Sequence, residues 1–369
     1  MLLRPSTALS SILFSEQVRT VVNGYSRFVP KKLKALASKA YVAGRSAAQA
    51  FKELAITPCL AGRFNENSVL VLTSSPRSGS TWLGNAFGSI PNTCILFEPL
   101  QLTYVPEAKA AGFSWRTFVH PENEWPEGEA FLRRVFEGRV VNRWTCREMS
   151  LLEACRATTM IIKFVRANRL LPWMCQTFPI RSPVLLIRHP CAVIASQLNS
   201  PGWWGMAMRP ESPPYIANYP LFEAALSKTQ GIEEYLAASW ALDQLPPLMY
   251  EPPLPWTVVT YEELFLKPAA TLAKIFQAWK LDIDLDEALS RLKKPSSVVY
   301  KSGVSGIDGW KKRLTEAQVE KILHTIEGFG LRFYTRHAEP DYETLYSERL
   351  AGQIRETGKG RLPAQVKVS

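Results

Sequence analysis

The sequence has little of what a metal centre or a membrane span requires. Its 369 residues include four histidines and six cysteines, with no Cys-x-x-Cys pair. Without clustered Cys and His nothing supports a zinc site, and no metal is expected. Cys59, Cys94, Cys146, Cys155, Cys175 and Cys191 are scattered, several inside apolar runs, and read as buried free thiols rather than a disulfide framework. No run approaches the roughly 18–20 apolar residues that cross a bilayer. The opening MLLRPSTALSSILF has one arginine, and Pro5 and serines break its apolar stretch, which makes a poor signal peptide. A reduced, cytoplasmic setting is expected.

What is present is a globular composition, 46% hydrophobic and 21% charged. The formal charge of +11 is unevenly spread. Residues 1–60 hold nine Lys/Arg against two Asp/Glu, a net +7, which leaves +4 for the other 309 residues. A nucleic-acid-binding body would carry its basic footprint on the fold, so no nucleic acid is expected, and small anionic ligands suit the balance better.

Composition separates three regions: a basic, Ala-rich extension over 1–62, a domain over 63–337, and a polar tail over 338–369 that lacks periodicity. From Lys31 to Leu54, Leu33, Leu36, Ala40, Ala43, Ala47, Phe51 and Leu54 share one helical face and lysines and an arginine lie opposite. This basic amphipathic helix suits peripheral contact with an anionic membrane, or packing on the domain with a solvated basic face. Continuous apolar runs at 69–74, 94–99, 159–165, 183–188 and 256–261 read as parallel strands buried on both faces. Helical patterns at 190–199, 219–244, 268–280 and 314–328 alternate with them. The fold class expected is therefore three-layer α/β with a central, mostly parallel sheet, its ligand beyond the C-terminal strand ends.

The first strand opens VLVLTSSPRSGSTWL (Val69–Leu83), a strand, a Ser/Gly-rich turn and a helix, the layout of a phosphate-cradling loop. The ATP-binding version, G-x-x-x-x-G-K-S/T, needs a lysine after its second glycine. Here Ser80 and Thr81 follow Gly79, and the nearby cation is Arg77. The second stretch, VLLIRHPCAVIASQL (Val184–Leu198), ends a strand at Arg188, opens a helix at Pro190 and places Ser196 eight residues after the arginine. A guanidinium and a hydroxyl in one crevice suit a phosphate.

Together, SSPRSGSTWL and RHPCAVIASQ resemble the two signature motifs of the sulfotransferase superfamily, which uses 3′-phosphoadenosine 5′-phosphosulfate (PAPS). The resemblance spans roughly residues 69–313. It implies that Arg77, Ser78, Gly79, Ser80 and Thr81 grip the 5′-phosphosulfate, and that Arg188 and Ser196 hold the 3′-phosphate. Trp82 matches an adenine-stacking tryptophan, although on a helix it also reads as a core aromatic. VVTYEELFLKP resembles a segment that puts Tyr261 near the adenine, and YKSGVSGIDGWKKRLT one that brings Lys301 over the 3′-phosphate; Lys311 stays unassigned. IKFVRANRLLPW aligns Lys163 with a catalytic-segment lysine, but Val165 stands where cytosolic members place the catalytic histidine.

The base must then come from elsewhere. ILFEPL puts Glu98 at a strand end, 21 residues after Arg77. It resembles a strand-end Glu-Pro of membrane-type carbohydrate sulfotransferases, and related glycan-modifying members use a glutamate as base; Glu98 also reads as a structural glutamate capping the following segment. Burial there would raise its pKa toward a useful value. His120 is the second candidate. The catalytic set expected is Glu98, Arg77 and Lys163, with arginine acting by fixed charge rather than proton donation. Trp203, Trp204, Tyr215 and Tyr219 read as an acceptor-covering insertion or a core flap. The acceptor expected is a hydroxyl, on a glycan or other small molecule. Competing readings are a P-loop nucleotide kinase and a non-catalytic nucleotide-binding or membrane scaffold.

Overall fold

Five apolar runs become five strands: β1 (Val69–Ser74), β2 (Thr93–Phe97), β3 (Thr159–Phe164), β4 (Val184–Ile187) and β5 (Thr257–Thr260). The structure, a computed structural model, describes residues 50–200, 208–293 and 306–360. All strand pairs are parallel, in the order β2-β3-β1-β4-β5. In β1–β3, Val69 faces Met160 and Thr73 faces Phe164; in β1–β4, Leu72 faces Val184. Side chains alternate across the sheet, so Leu185 and Ile187 enter one core while Val184 and Leu186 enter the other. Two buried faces explain why the strands read as unbroken apolar runs.

Helices cover both faces. On one side lie α1 (Ser80–Phe87) and, later in the chain, Pro268–Ala278, which bury Leu83, Phe87, Leu272, Ile275 and Phe276. On the other lie α2 (Pro190–Leu198), α3 (Pro220–Ser227), α4 (Ile232–Leu248) and the helix Glu316–Gly328. The three-layer α/β architecture with a parallel sheet is thus observed. The chain runs from β1 toward β2 and β3 on one side and toward β4 and β5 on the other. The crevice beyond the ends of β1 and β4 is the switch point at which open α/β sheets bind ligands.

Several boundaries move. The helix expected over 219–244 is two, because Gly231 adopts an extended conformation (φ −131°, ψ 167°) and caps α4. Tyr261 is not the end of β5 but opens a short helix, α5 (Tyr261–Leu266), whose start is fixed by reciprocal hydrogen bonds between Thr260 and Glu263. The 338–369 region, read as aperiodic, carries helices Tyr342–Leu345 and Leu350–Lys359, whose Leu345, Leu350 and Ile354 join the main core. Cys59 and Cys155, expected free, form a disulfide across 96 residues, while Cys94, Cys146, Cys175 and Cys191 are free thiols. Arg63 reaches the Cys155 carbonyl at 2.6 Å and the Cys59 carbonyl at 3.4 Å, so the backbones meet at this corner. With a disulfide present, the thiol argument for a reduced compartment falls away.

By contacts the chain divides at Pro58/Cys59. Most of the helix expected over Lys31–Leu54 lies outside the described residues; residues 50–58 are helical, with Phe51 and Leu54 exposed. Among the described residues no helix is long and apolar enough to cross a membrane.

Candidate active site

The loop after β1 turns sharply because two residues take positive φ, Arg77 at 73° and Gly79 at 94°. Such a value is unusual for arginine and marks a backbone held by its surroundings. Gly79 has a steric reason as well: an added Cβ would lie 2.5 Å from the Tyr261 ring. From Gly79 the chain enters α1 with no side chain capping its N-terminus, which leaves the positive end of the helix facing the cleft. The cleft has a volume of about 530 Å³, within the range that holds small ligands.

Two guanidiniums meet at this loop. Arg77 Nε donates to Ser196 Oγ at 2.9 Å, and Arg188 Nη1 donates to the Arg77 carbonyl at 3.1 Å. Arg188 also lies 4.0 Å from the Tyr261 ring centroid, and its Nε is buried with no partner. Burial and then the Arg188 charge lower the pKa of Arg77. Arginine nevertheless stays protonated, so two fixed positive charges are held side by side with an unmade donor. Ser80, Thr81 and Trp82 line the same cleft. Trp82 lies 5.2 Å from Tyr261 and its Nε1 donates to the Leu292 carbonyl, so its ring is both a cleft wall and partly packed on the core.

The second group sits at the ends of β2 and β3. Glu98 follows Phe97 with φ 41°, which takes it out of the strand expected to run to 99 and turns it into the cleft. Its amide donates to the Lys163 carbonyl at 2.8 Å. Its carboxylate stands 3.9 Å from Lys163 Nζ and 3.7 Å from Arg166 Nη1. Burial pushes the Glu98 pKa up, against the pull of Lys163 and Arg166. Lys163 donates to Thr81 Oγ1 at 2.7 Å and lies over the Phe97 ring, so it bridges the loop and Glu98; burial lowers its pKa. Val165 lines the cleft beside them and has nothing to titrate.

Beneath Arg188 the support is buried and polar. Glu262 accepts the His189 amide at 3.0 Å and the Tyr334 hydroxyl at 2.8 Å. His189 Nδ1 accepts the Cys191 amide and its Nε2 faces the Thr335 carbonyl at 2.9 Å, which fixes the neutral ring with its proton on Nε2.

Of the residues expected from sequence, Arg77, Gly79, Ser80, Thr81, Trp82, Glu98, Lys163, Arg188, Ser196 and Tyr261 line this one cleft. Ser78 does not; its hydroxyl is buried without a partner. Lys301, Trp203 and Trp204 lie outside the described residues. His120 lines a separate hollow with Tyr215 and Tyr219, so it is no alternative base in the cleft and those tyrosines do not cover it. Arg166, Glu148 and Arg313 line the cleft without having been singled out. Arg166 had a signal, a cation two residues past a strand end; Glu148 and Arg313 sit in segments with no pattern to mark them. Among the described residues no cluster of His, Cys, Asp or Glu is disposed to hold a metal.

No family model matches the chain, and no curated protein does. Among solved structures it is similar to mouse sulfotransferase SULT7A1 complexed with PAP, at 15% identity over 77% of this chain and 90% of that one, TM-score 0.38. It is also similar to the sulfotransferase domain of the Synechococcus PCC 7002 olefin synthase, at 21% identity over 71% and 94%, TM-score 0.36. A third similarity is to the sulfotransferase domain from the curacin biosynthetic pathway, at 15% identity over 80% and 99%, TM-score 0.35.

Proposed function

We propose that this protein is an enzyme that transfers a sulfuryl group from PAPS to an acceptor hydroxyl and releases adenosine 3′,5′-bisphosphate (PAP). The observation that carries the reading is the convergence of Arg77, Arg188 and Ser196 at the switch point of a parallel sheet, on a phosphate-loop turn without the Walker lysine. The residues fit such a ligand: two adjacent guanidiniums, one with an unpartnered buried Nε, call for an anion. Arg188 and Ser196 hold the 3′-phosphate in this reading, and Arg77, Gly79, Ser80 and Thr81 hold the 5′ end. Trp82 and Tyr261 flank the adenine.

PAPS supplies the sulfur: a bond forms from the acceptor oxygen to sulfur as the bond from sulfur to the phosphate oxygen breaks. Glu98 takes the acceptor proton, its raised pKa bringing it toward the strength a general base needs. Lys163, tethered to Thr81, and Arg77 answer the negative charge that develops on the departing phosphate. Many carbohydrate-directed sulfotransferases carry an arginine at the position of Arg77, and related glycan-modifying members use a glutamate as base, which supports a glycan hydroxyl as acceptor.

Calorimetry with PAP, AMP and ATP tests the reading. PAP should bind at least about tenfold tighter than AMP or ATP, since a charge-assisted phosphate contact contributes roughly 1.5–3 kcal/mol. Arg188→Ala should remove that margin and leave AMP nearly unchanged. Equal losses for PAP and AMP would take the 3′-phosphate away from Arg188, and preference for ATP would point to a nucleotide kinase. Radiolabelled PAPS offered with glycans, phenols and lipids then reads the acceptor class.

A further inference from the structure

Behind Glu98 the cleft wall holds more positive charge than its own carboxylates answer. Arg166 lines the cleft with its side chain 11% exposed, 3.7 Å from Glu98 and 4.9 Å from the Trp115 ring centroid. Next to it, Arg116 and Arg169 share one carboxylate: Arg116 Nη1 donates to Asp243 Oδ2 at 3.0 Å and Arg169 Nε to Asp243 Oδ1 at 2.9 Å. Arg169 is buried and its Nη2 has no partner. Arg166 feels the fields of Glu98, Arg116 and Asp243, so these groups form one electrostatic cluster.

Among the described residues, this cluster sets Lys163, Arg166, Arg116 and Arg169 against Glu98 and Asp243, four cations to two carboxylates. Arg147 and Glu148 also line the cleft and add one charge of each sign, which leaves the surplus unchanged. Assigning Lys163 to the sulfuryl end still leaves three cations to two carboxylates. Proton uptake by Glu98 during turnover would widen the surplus. Unanswered charge in a poorly solvated wall is costly and is relieved by a paired anion. Of these three arginines it is Arg166 that lines the cleft, beside the proposed base.

We propose that the acceptor is an acidic molecule, bearing a carboxylate or phosphate near the hydroxyl that is sulfated, and that Arg166 pairs with that anion. This rests on the sulfuryl-transfer reading and narrows its substrate class. Trp115 holds the guanidinium plane and Asp243 anchors the arginines behind it, so the anion meets a preorganised fork.

The test uses the full chain saturated with PAP, so that the nucleotide phosphates occupy their own site. Binding of methyl β-glucuronide is compared with methyl β-glucoside, and glucose 6-phosphate with glucose. At least one anion should bind tenfold or more tighter than its neutral partner, and the arm that does so tells carboxylate from phosphate. Arg166→Gln should erase the preference while keeping PAP affinity. Arg166→Lys, which retains the charge, should preserve most of it and serves if the glutamine variant does not fold. Equal binding of anions and neutral partners, or a preference that survives Arg166→Gln, overturns the inference. Failure of the wild-type protein to bind PAP removes the sulfuryl-transfer reading and this inference with it, whereas PAP binding without anion preference removes the inference alone.

Discussion

Glu98 is asked to be both buried and basic, and its neighbours decide whether that works. Burial raises its pKa while Lys163 and Arg166, each nearly 4 Å away, limit the rise without making tight ion pairs. A short pair would hold the carboxylate as a spent anion; these distances leave it able to accept a proton. Glu98→Gln keeps the size and removes the base, so kcat should fall at least about a hundredfold, the lower end of general-base effects. PAP affinity should stay within about threefold. In the wild type the rate should rise with pH through one ionisation shifted above the ordinary carboxylate range, and that limb should vanish in the variant. Near-normal kcat in Glu98→Gln would remove it from the mechanism, and with His120 in another hollow the remaining cleft carboxylate to test is Glu148.

At the scale of elements, the strand–turn–helix units at 69–87 and 184–198 were legible because each joins an unbroken apolar run to residues with few conformational options. Gly79 and Pro190 are such residues: one takes φ 94° beneath a ring, the other opens a helix at its first position. What was not legible came from contacts distant in sequence. Nothing near Cys59 announces Cys155, and nothing near Arg169 announces Asp243, 74 positions later. The helix Leu350–Lys359 hid because a short amphipathic face amid charged residues looks polar until a core receives it. The loop itself can be tested at Gly79. Gly79→Ala places a methyl 2.5 Å from Tyr261 at a φ that L-residues avoid. The ring must swing from Trp82 and from beneath Arg188, so PAP affinity should drop tenfold or more, with about 1–3 kcal/mol of stability lost to backbone strain. Unchanged PAP affinity by calorimetry would mean that the Tyr261 platform does not shape the nucleotide site.

Across the whole molecule, two buried groups beside the cleft make stability depend on pH in opposite senses. Burial lowers His189 from 6.5 to about 4. Between those values the unfolded chain binds a proton that the folded chain refuses, so this contribution is lost as pH falls from 6.5 toward 4. Burial raises Glu262 from 4.5 to about 7, despite the His189 amide, Arg188 and Tyr334 favouring its ionised form. Here the folded chain keeps a proton that the unfolded chain has released, so the contribution is present below pH 4.5 and is lost as pH rises through 7. From about pH 4.5 to 6.5 the two slopes oppose each other and nearly cancel. Glu262→Gln removes one of them, since an amide accepts the His189 amide but has no proton to lose. Relative to the wild type, the variant should therefore gain stability as pH rises from 4.5 to 7. The gain should be on the order of 2–3 kcal/mol, because each pH unit between the unfolded and folded pKa contributes roughly 1.4 kcal/mol. Subtracting the wild type at each pH cancels the titration of Glu98, Glu148 and the surface. Urea unfolding of both proteins from pH 4.5 to 8 measures the difference directly. A gap that stays constant with pH would show that Glu262 is already ionised in the fold, with Arg188 rather than burial governing its charge.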